Sequence, residues 1–287
     1  MDTWQYPFEI KYATVLDSIR IAYVDEGQGP KTLLFLHGLG SNLKSWQKNI
    51  AALSNEYRCI ALDLPGYGKS SKGDYGFRMT FFARSVRALM DTLGLEQVVL
   101  AGHSMGGQIA MHLVLHDARH VEQLVLLAPA GFETFTPQEK EWFARVYTPE
   151  VVRATPEEQI VKNFELNFYD MPDDARFMID DRMEMRRHPE EYDHYCRMIP
   201  QCVQGMLEEP VFKQLPRISV PTLVIFGEND LLIPNRLLHP ARTTIEVAQT
   251  GAARIPDCRV EMLPQAGHFV QWEQAARVNE LIRAFIQ

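Results

Sequence analysis

Gly102-His103-Ser104-Met105-Gly106 has the form G-x-S-x-G. An apolar run, Gln97 to Ala101, precedes it and a helical pattern, Met105 to His116, follows it. The serine is therefore expected on a tight turn from strand to helix. Such a turn strains the backbone at Ser104, and glycine two residues to either side removes side chains that would collide. Gly107 extends the small face on which the helix approaches the sheet. The hydroxyl then stands at the end of the sheet and at the positive end of a helix, placed as a nucleophile would be.

A serine hydroxyl attacks well near neutral pH only if a base takes its proton, and histidine has the suitable pKa. Of nine histidines, His268 follows a strand pattern, Arg259 to Leu263, and the loop Pro264-Gln-Ala-Gly267. It precedes a closing helix to Gln287, so it should reach the carboxyl edge of the sheet. His37 and His103 flank glycine motifs and are expected to shape loops. The base needs a carboxylate that fixes its tautomer and balances the imidazolium. Asp230 ends Leu223-Val-Ile-Phe-Gly-Glu-Asn-Asp and leaves a buried strand at the same edge; Glu228 and Glu133 are the alternatives. Negative charge on a substrate oxygen needs donors, and the glycine turn His37-Gly38-Leu39-Gly40 can expose backbone N–H groups. The N–H groups of Leu39 and Met105 are the expected pair.

Other chemistries fit poorly. Gly66-Tyr-Gly-Lys-Ser70 ends like a phosphate-binding loop, but Asp63 occupies the position of the earlier glycine. His112 and His116 are four apart in MHLVLH, without the glutamate of a zinc-binding HExxH, and are expected on a packed helix face. Cys59, Cys196, Cys202 and Cys258 are scattered and read as reduced thiols. No metal and no cofactor is expected. With 29 basic against 37 acidic residues the net charge is −8, which opposes nucleic-acid binding. The longest apolar run, Leu124 to Ala128, falls far short of the roughly 20 residues of a membrane span. The opening MDTWQYPFEIKY, with Asp2 and Glu9, lacks the features of a secretion signal, so a cytoplasmic protein is the expectation. The sequence leaves the oligomeric state open, a homodimer included.

The elements that must position these residues are legible as alternation. Five short apolar segments, Thr32–Leu36, Cys59–Asp63, Gln97–Ala101, Gln123–Ala128 and Thr222–Phe226, fit strands covered on both faces. Helical patterns at Leu43–Leu53, Met79–Leu93 and Met105–His116 lie between them, which predicts an α/β fold with a doubly wound, mostly parallel sheet. Glu9–Leu16 and Ser18–Asp25 alternate like an antiparallel hairpin. Between Ala130 and Pro221 the alternation breaks for about 80 residues, more than a crossover needs. A helical cap over 132–212 is expected there, inserted into a core of 1–131 and 213–287. Within it Thr155-Pro156-Glu157-Glu158 reads as a capping box. The insert also holds six of the twelve methionines, Met171, Met178, Met183, Met185, Met198 and Met206, expected mainly as its packing.

FLHGLG, LDLPGYGKS, GHSMGG, GEND and AGHFVQWE, in this order and spacing, resemble the α/β-hydrolase family over nearly the whole chain. The resemblance implies a triad of Ser104, His268 and Asp230 under a lid. Serine at position 104 sets the chain apart from the branches that use an aspartate nucleophile. GHSMGG, LLAPAGFE and ATPEE are similar to bacterial carboxylesterases and monoacylglycerol lipases, implying a small-molecule ester substrate with an apolar acyl group of short to medium length. GHFVQWE is instead similar to C–C bond hydrolases of meta-cleavage products, which commonly carry Asn where this chain has His103. Such a substrate would need an arginine for its carboxylate. Arg176, Arg182, Arg186, Arg187 and Arg197 of the insert are candidates, but their acidic neighbours predict surface ion pairs. A third alternative is a ligand-binding protein on a hydrolase scaffold.

Overall fold

Runs of branched and aromatic side chains that are apolar on both faces can be satisfied only between two layers of helices. In the computed structural model, which describes residues 5–286, they form one eight-stranded sheet in the order β1-β2-β4-β3-β5-β6-β7-β8. The strands are β1 (Lys11–Val15), β2 (Ile19–Glu26), β3 (Thr32–Leu36), β4 (Arg58–Leu62), β5 (Val98–His103), β6 (Val121–Leu127), β7 (Thr222–Gly227) and β8 (Cys258–Leu263). The expected hairpin is β1–β2, antiparallel, with Leu16 and Asp17 at positive φ in its turn. β2 meets β4 antiparallel, and every other pairing is parallel.

Side chains alternate between the two faces along each strand. On β3, Leu34 and Leu36 join a core with Phe82 and Val86 of α2 (Met79–Thr92), Ile109 of α3 (Met105–His116) and Val247 of α9 (Thr244–Ala252). Leu33 and Phe35 face a second core with Ile50 of α1 (Gln47–Leu53) and Leu281 of α11 (Ala275–Ile286). Asp2 and Gln287, used in reading the two ends of the chain, lie outside the described residues. Among the described residues no helix is long and apolar enough to cross a membrane.

The long stretch between β6 and β7 is helical: α4 (Pro137–Val146), α5 (Pro149–Ala154), α6 (Glu157–Glu165), α7 (Phe177–Arg186) and α8 (Pro189–Glu208). It lies across loops that follow the carboxyl ends of the strands. Arg182 donates to the Gly40 carbonyl at 2.7 Å, His194 Nε2 to that of Gly66 at 3.1 Å, and Gln108 to that of Met206 at 2.9 Å. The Phe269 N–H donates to the Asn167 carbonyl at 3.0 Å. Met178 and Met198 are buried packing, while Met171, Met185 and Met206 are partly buried against the cores.

The capping box expected at Thr155 does not form. α6 starts from Pro156, and the Thr155 hydroxyl donates backwards to the Val151 carbonyl at 3.0 Å. Thr155 closes α5 with its N–H to Val152, so its backbone already serves the end of one helix and cannot begin the next. The same Thr-x-x-Glu pattern makes true capping boxes at Thr136–Glu139 and Thr243–Glu246.

Candidate active site

Ser104 joins β5 to α3 at φ 53° and ψ −118°, a conformation that a side chain tolerates only when the surroundings hold it. Its N–H donates to the Leu127 carbonyl at 3.0 Å, and its own carbonyl accepts from Gly107 and Ala130. A Cβ at Gly102 would lie 2.4 Å from the Gly106 carbonyl oxygen, and one at Gly106 would lie 2.4 Å from that of Leu36. Both obstacles are backbone and cannot step aside. Gly106→Ala is therefore expected to destabilise the fold by about 1–3 kcal/mol, since overpacking here must move a strand end. An unchanged midpoint in chemical denaturation would contradict the tight-turn account.

Asp230 leaves the end of β7 fully buried. Its Oδ1 accepts the N–H groups of Leu232 at 2.8 Å and Ile233 at 3.0 Å, and its Oδ2 faces His268 Nδ1 at 2.8 Å. Arg236 and Thr244 both donate to the Asp230 carbonyl and pin its backbone. A carboxylate can only accept, so Nδ1 of His268 carries a proton and donates to it, which leaves Nε2 as the ring nitrogen for a base's role. His268 is held from behind as well: His103 Nε2 lies 2.9 Å from the His268 carbonyl, and the two rings are 4.9 Å apart. Burial pushes the pKa of His103 well below the usual histidine value. His103 is thus a neutral donor clamping the loop that carries His268.

Ser104 and His268 line one cavity of about 980 Å³, walled by Phe135, Phe143, Val203, Leu207 and Ile233. They share no hydrogen bond here; such serine–base contacts tighten when substrate binds. The Gly38-Leu39 turn runs against the serine, since a Cβ at Gly38 would sit 3.1 Å from Ser104 Cβ. Among the described residues the N–H groups of Leu39 and Met105 have no protein acceptor. His37 shapes this turn: Nδ1 donates to the Gly38 carbonyl at 2.9 Å, Nε2 accepts from the Leu64 N–H, and burial lowers its pKa.

The other acids go elsewhere. Glu228 is exposed. Glu133 lines the cavity but accepts from the Asn235 N–H and faces His239 Nδ1 at 2.5 Å, and His239 Nε2 reaches Glu139. Burial raises the carboxyl pKa of Glu133 above the usual range. Among the described residues no group of three or more His, Cys, Asp or Glu side chains is arranged to hold a metal ion.

Sequence reasoning could not single out Arg182. Arg187 pairs with Glu184 and Arg197 with Asp193, as the acidic neighbours predict. Among the described residues Arg182 makes no such pair, and neither do Arg176 and Arg186. Its guanidinium carbon lies 3.8 Å from the centroid of the Tyr195 ring, one terminal amine meets the Tyr195 hydroxyl and the other the Gly40 carbonyl, and its Nε is buried without a partner. It lines a second cavity of about 550 Å³, which shares Leu39, Tyr147, Asn167 and Phe269 with the first.

Relatives and solved structures agree with this architecture. The chain is 30% identical, over 93% of its length and 67% of the relative's, to the dihydrolipoyllysine-residue acetyltransferase component of the acetoin cleaving system of Cupriavidus necator. It is also 30% identical to a 2-hydroxy-6-oxononadienedioate/2-hydroxy-6-oxononatrienedioate hydrolase of Paraburkholderia phymatum, over 96% of this chain and 95% of that one. A probable hydrolytic enzyme of Pseudomonas aeruginosa superposes with a TM-score of 0.88 at 24% identity, covering 99% and 96% of the two chains. A thermophilic esterase of Thermogutta terrifontis does so at 0.74 and 27%, covering 97% and 98%. The model of the alpha/beta hydrolase fold matches residues 31–275, and the chain belongs to the α/β-hydrolase family.

Proposed function

We propose that this α/β hydrolase cleaves carboxylic esters with apolar acyl groups of short to medium length. The observation that carries the reading is the His268–Asp230 pair, hydrogen-bonded at 2.8 Å, opening onto the same apolar-walled cavity as Ser104. In the proposed cycle His268 Nε2 takes the proton of Ser104 as Oγ attacks the ester carbonyl. The N–H groups of Leu39 and Met105 bind the oxyanion. His268 then protonates the departing alcohol, deprotonates a water that attacks the acyl-enzyme, and returns the proton to Ser104 as the acid leaves. Helices α4–α8 serve as the lid, keeping water from the apolar acyl group.

One observation favours a second reading. Arg182 lines the adjoining cavity and has no carboxylate partner among the described residues, and a relative of similar length is named as a hydrolase of a dienedioate. In that reading Arg182 holds the carboxylate of a dienoate and the same triad serves C–C cleavage.

A single panel tests both. p-Nitrophenyl esters from acetyl to octanoyl and a monoacylglycerol are compared with a 2-hydroxy-6-oxo-dienoate on one preparation. Ester kcat/KM should exceed that for the dienoate at least about tenfold and rise with chain length, each buried methylene contributing up to about 0.8 kcal/mol until the cavity fills. Efficient dienoate cleavage with weak ester turnover, lost in Arg182→Gln, would overturn the choice.

A further inference from the structure

Arg182 stands in the smaller cavity, and the charges of the larger one are unused by the chemistry above. The chain has an excess of eight acidic charges, yet the cavity that Ser104 and His268 face is lined by Lys140, Lys213 and Arg254 against one carboxylate, Glu133. Glu133 is committed to the Asn235 N–H and to His239. None of the three cations has a carboxylate within ion-pair distance among the described residues. Arg254 spends Nε on the Phe212 carbonyl at 3.2 Å and lies over the Phe212 ring, and among the described residues its terminal amines make no hydrogen bond.

The three side chains come from separate parts of the chain: α4, the turn after α8, and the end of α9. Lys140 and Arg254 are half-buried and Lys213 is exposed, which puts them at the rim of the cavity. The wall near the serine is apolar: Phe143, Val203 and Leu207 form a cluster against which Leu39, of the turn beside Ser104, also packs. The cavity therefore combines a reactive serine, an apolar wall and solvent-reached cations. An unbranched acyl chain ending in a methyl group would leave these cations without a counter-charge. A chain ending in an anion would match all three features.

We infer that the preferred acyl group carries a carboxylate at its far end, so that the substrate class is the half-ester of a linear dicarboxylic acid, with Lys140, Lys213 and Arg254 receiving the distal carboxylate. This inference rests on the ester reading for the reacting end of the molecule. It is separate from Arg182, which lines the other cavity.

The test pairs two esters of equal acyl length, mono-p-nitrophenyl suberate and p-nitrophenyl octanoate. At low ionic strength the charged ester should have a KM lower by about three- to fivefold, a size suited to cations at a solvent-accessible rim. The ratio of the two kcat/KM values should shrink as salt is added, because rim charges are screened. In the triple variant Lys140→Gln, Lys213→Gln, Arg254→Gln the ratio should fall to about one or below, since nothing is left to repay dehydration of the carboxylate. A ratio near one in the unaltered protein, or one that survives in the triple variant, would overturn the inference. Binding of both esters to Ser104→Ala, followed by calorimetry, separates this failure from that of the ester reading. Tighter binding of the charged ester without turnover by the unaltered protein would sink ester hydrolysis and keep the anion site. Equal binding would sink the anion site, whatever the turnover.

Discussion

Ser104→Ala is expected to lower ester turnover by about 10⁴- to 10⁶-fold, the scale of losing the nucleophile from a set of residues that act as a unit. The fold should survive. Among the described residues the Ser104 side chain makes no hydrogen bond, and the contacts that hold its strained turn are backbone bonds to Leu127, Gly107 and Ala130, which alanine keeps. The loss should therefore appear in kcat, with an unchanged thermal unfolding transition. Substantial remaining ester cleavage by the folded variant would remove Ser104 from the nucleophile's role.

Asp230→Asn is expected to cost about four orders of magnitude in kcat, for a reason visible in the hydrogen bonds. Asp230 Oδ1 accepts two N–H groups, from Leu232 and Ile233, while Oδ2 faces His268 Nδ1. Asparagine has one oxygen and one NH₂. The two N–H groups claim the oxygen, which leaves the NH₂ pointing at Nδ1. His268 must then accept at Nδ1 and carry its proton on Nε2, where it cannot take one from the serine. The loop keeps its bonds, so the defect is one of tautomer and charge. Glu133→Gln should leave kcat within about threefold, as its carboxylate serves Asn235 and His239 instead. The opposite pattern, a mild Asp230→Asn and a crippled Glu133→Gln, would move the acid to the end of β6.

What could be read in advance follows from how local its cause is. Thr32–Leu36 and Met105–His116 appear with the boundaries their patterns imply, because an apolar run covered on both faces and a glycine-flanked turn into a helix are dictated by nearest neighbours. Asp230 and His268 are legible as candidates because each follows a recognisable strand, and strand ends converge on one edge, where the two side chains meet. α9 is hard to read although Thr243 and Glu246 announce it, since its buried face is mostly small or polar, Thr244, Ala248, Gly251 and Ala252, with Val247 its one large apolar residue. Thr155 carried the right letters for a cap, but it already closes α5. Arg182 looked like its four neighbours, and only the Gly40 carbonyl, 142 residues away in the chain, distinguishes it. The clamp between His103 and the His268 carbonyl likewise joins residues 165 apart.

The central claim is that Ser104 is an activated nucleophile, and treatment of the folded protein with an alkyl fluorophosphonate tests it most directly. The hydroxyl displaces fluoride at phosphorus, and the adduct is stable enough to map by mass spectrometry of proteolytic fragments. The account predicts one adduct per chain, on Ser104, absent from Ser104→Ala and strongly slowed in Asp230→Asn. A folded protein that stays unlabelled would point to a ligand-binding protein, and an adduct on another residue would place the chemistry elsewhere; either result contradicts the account.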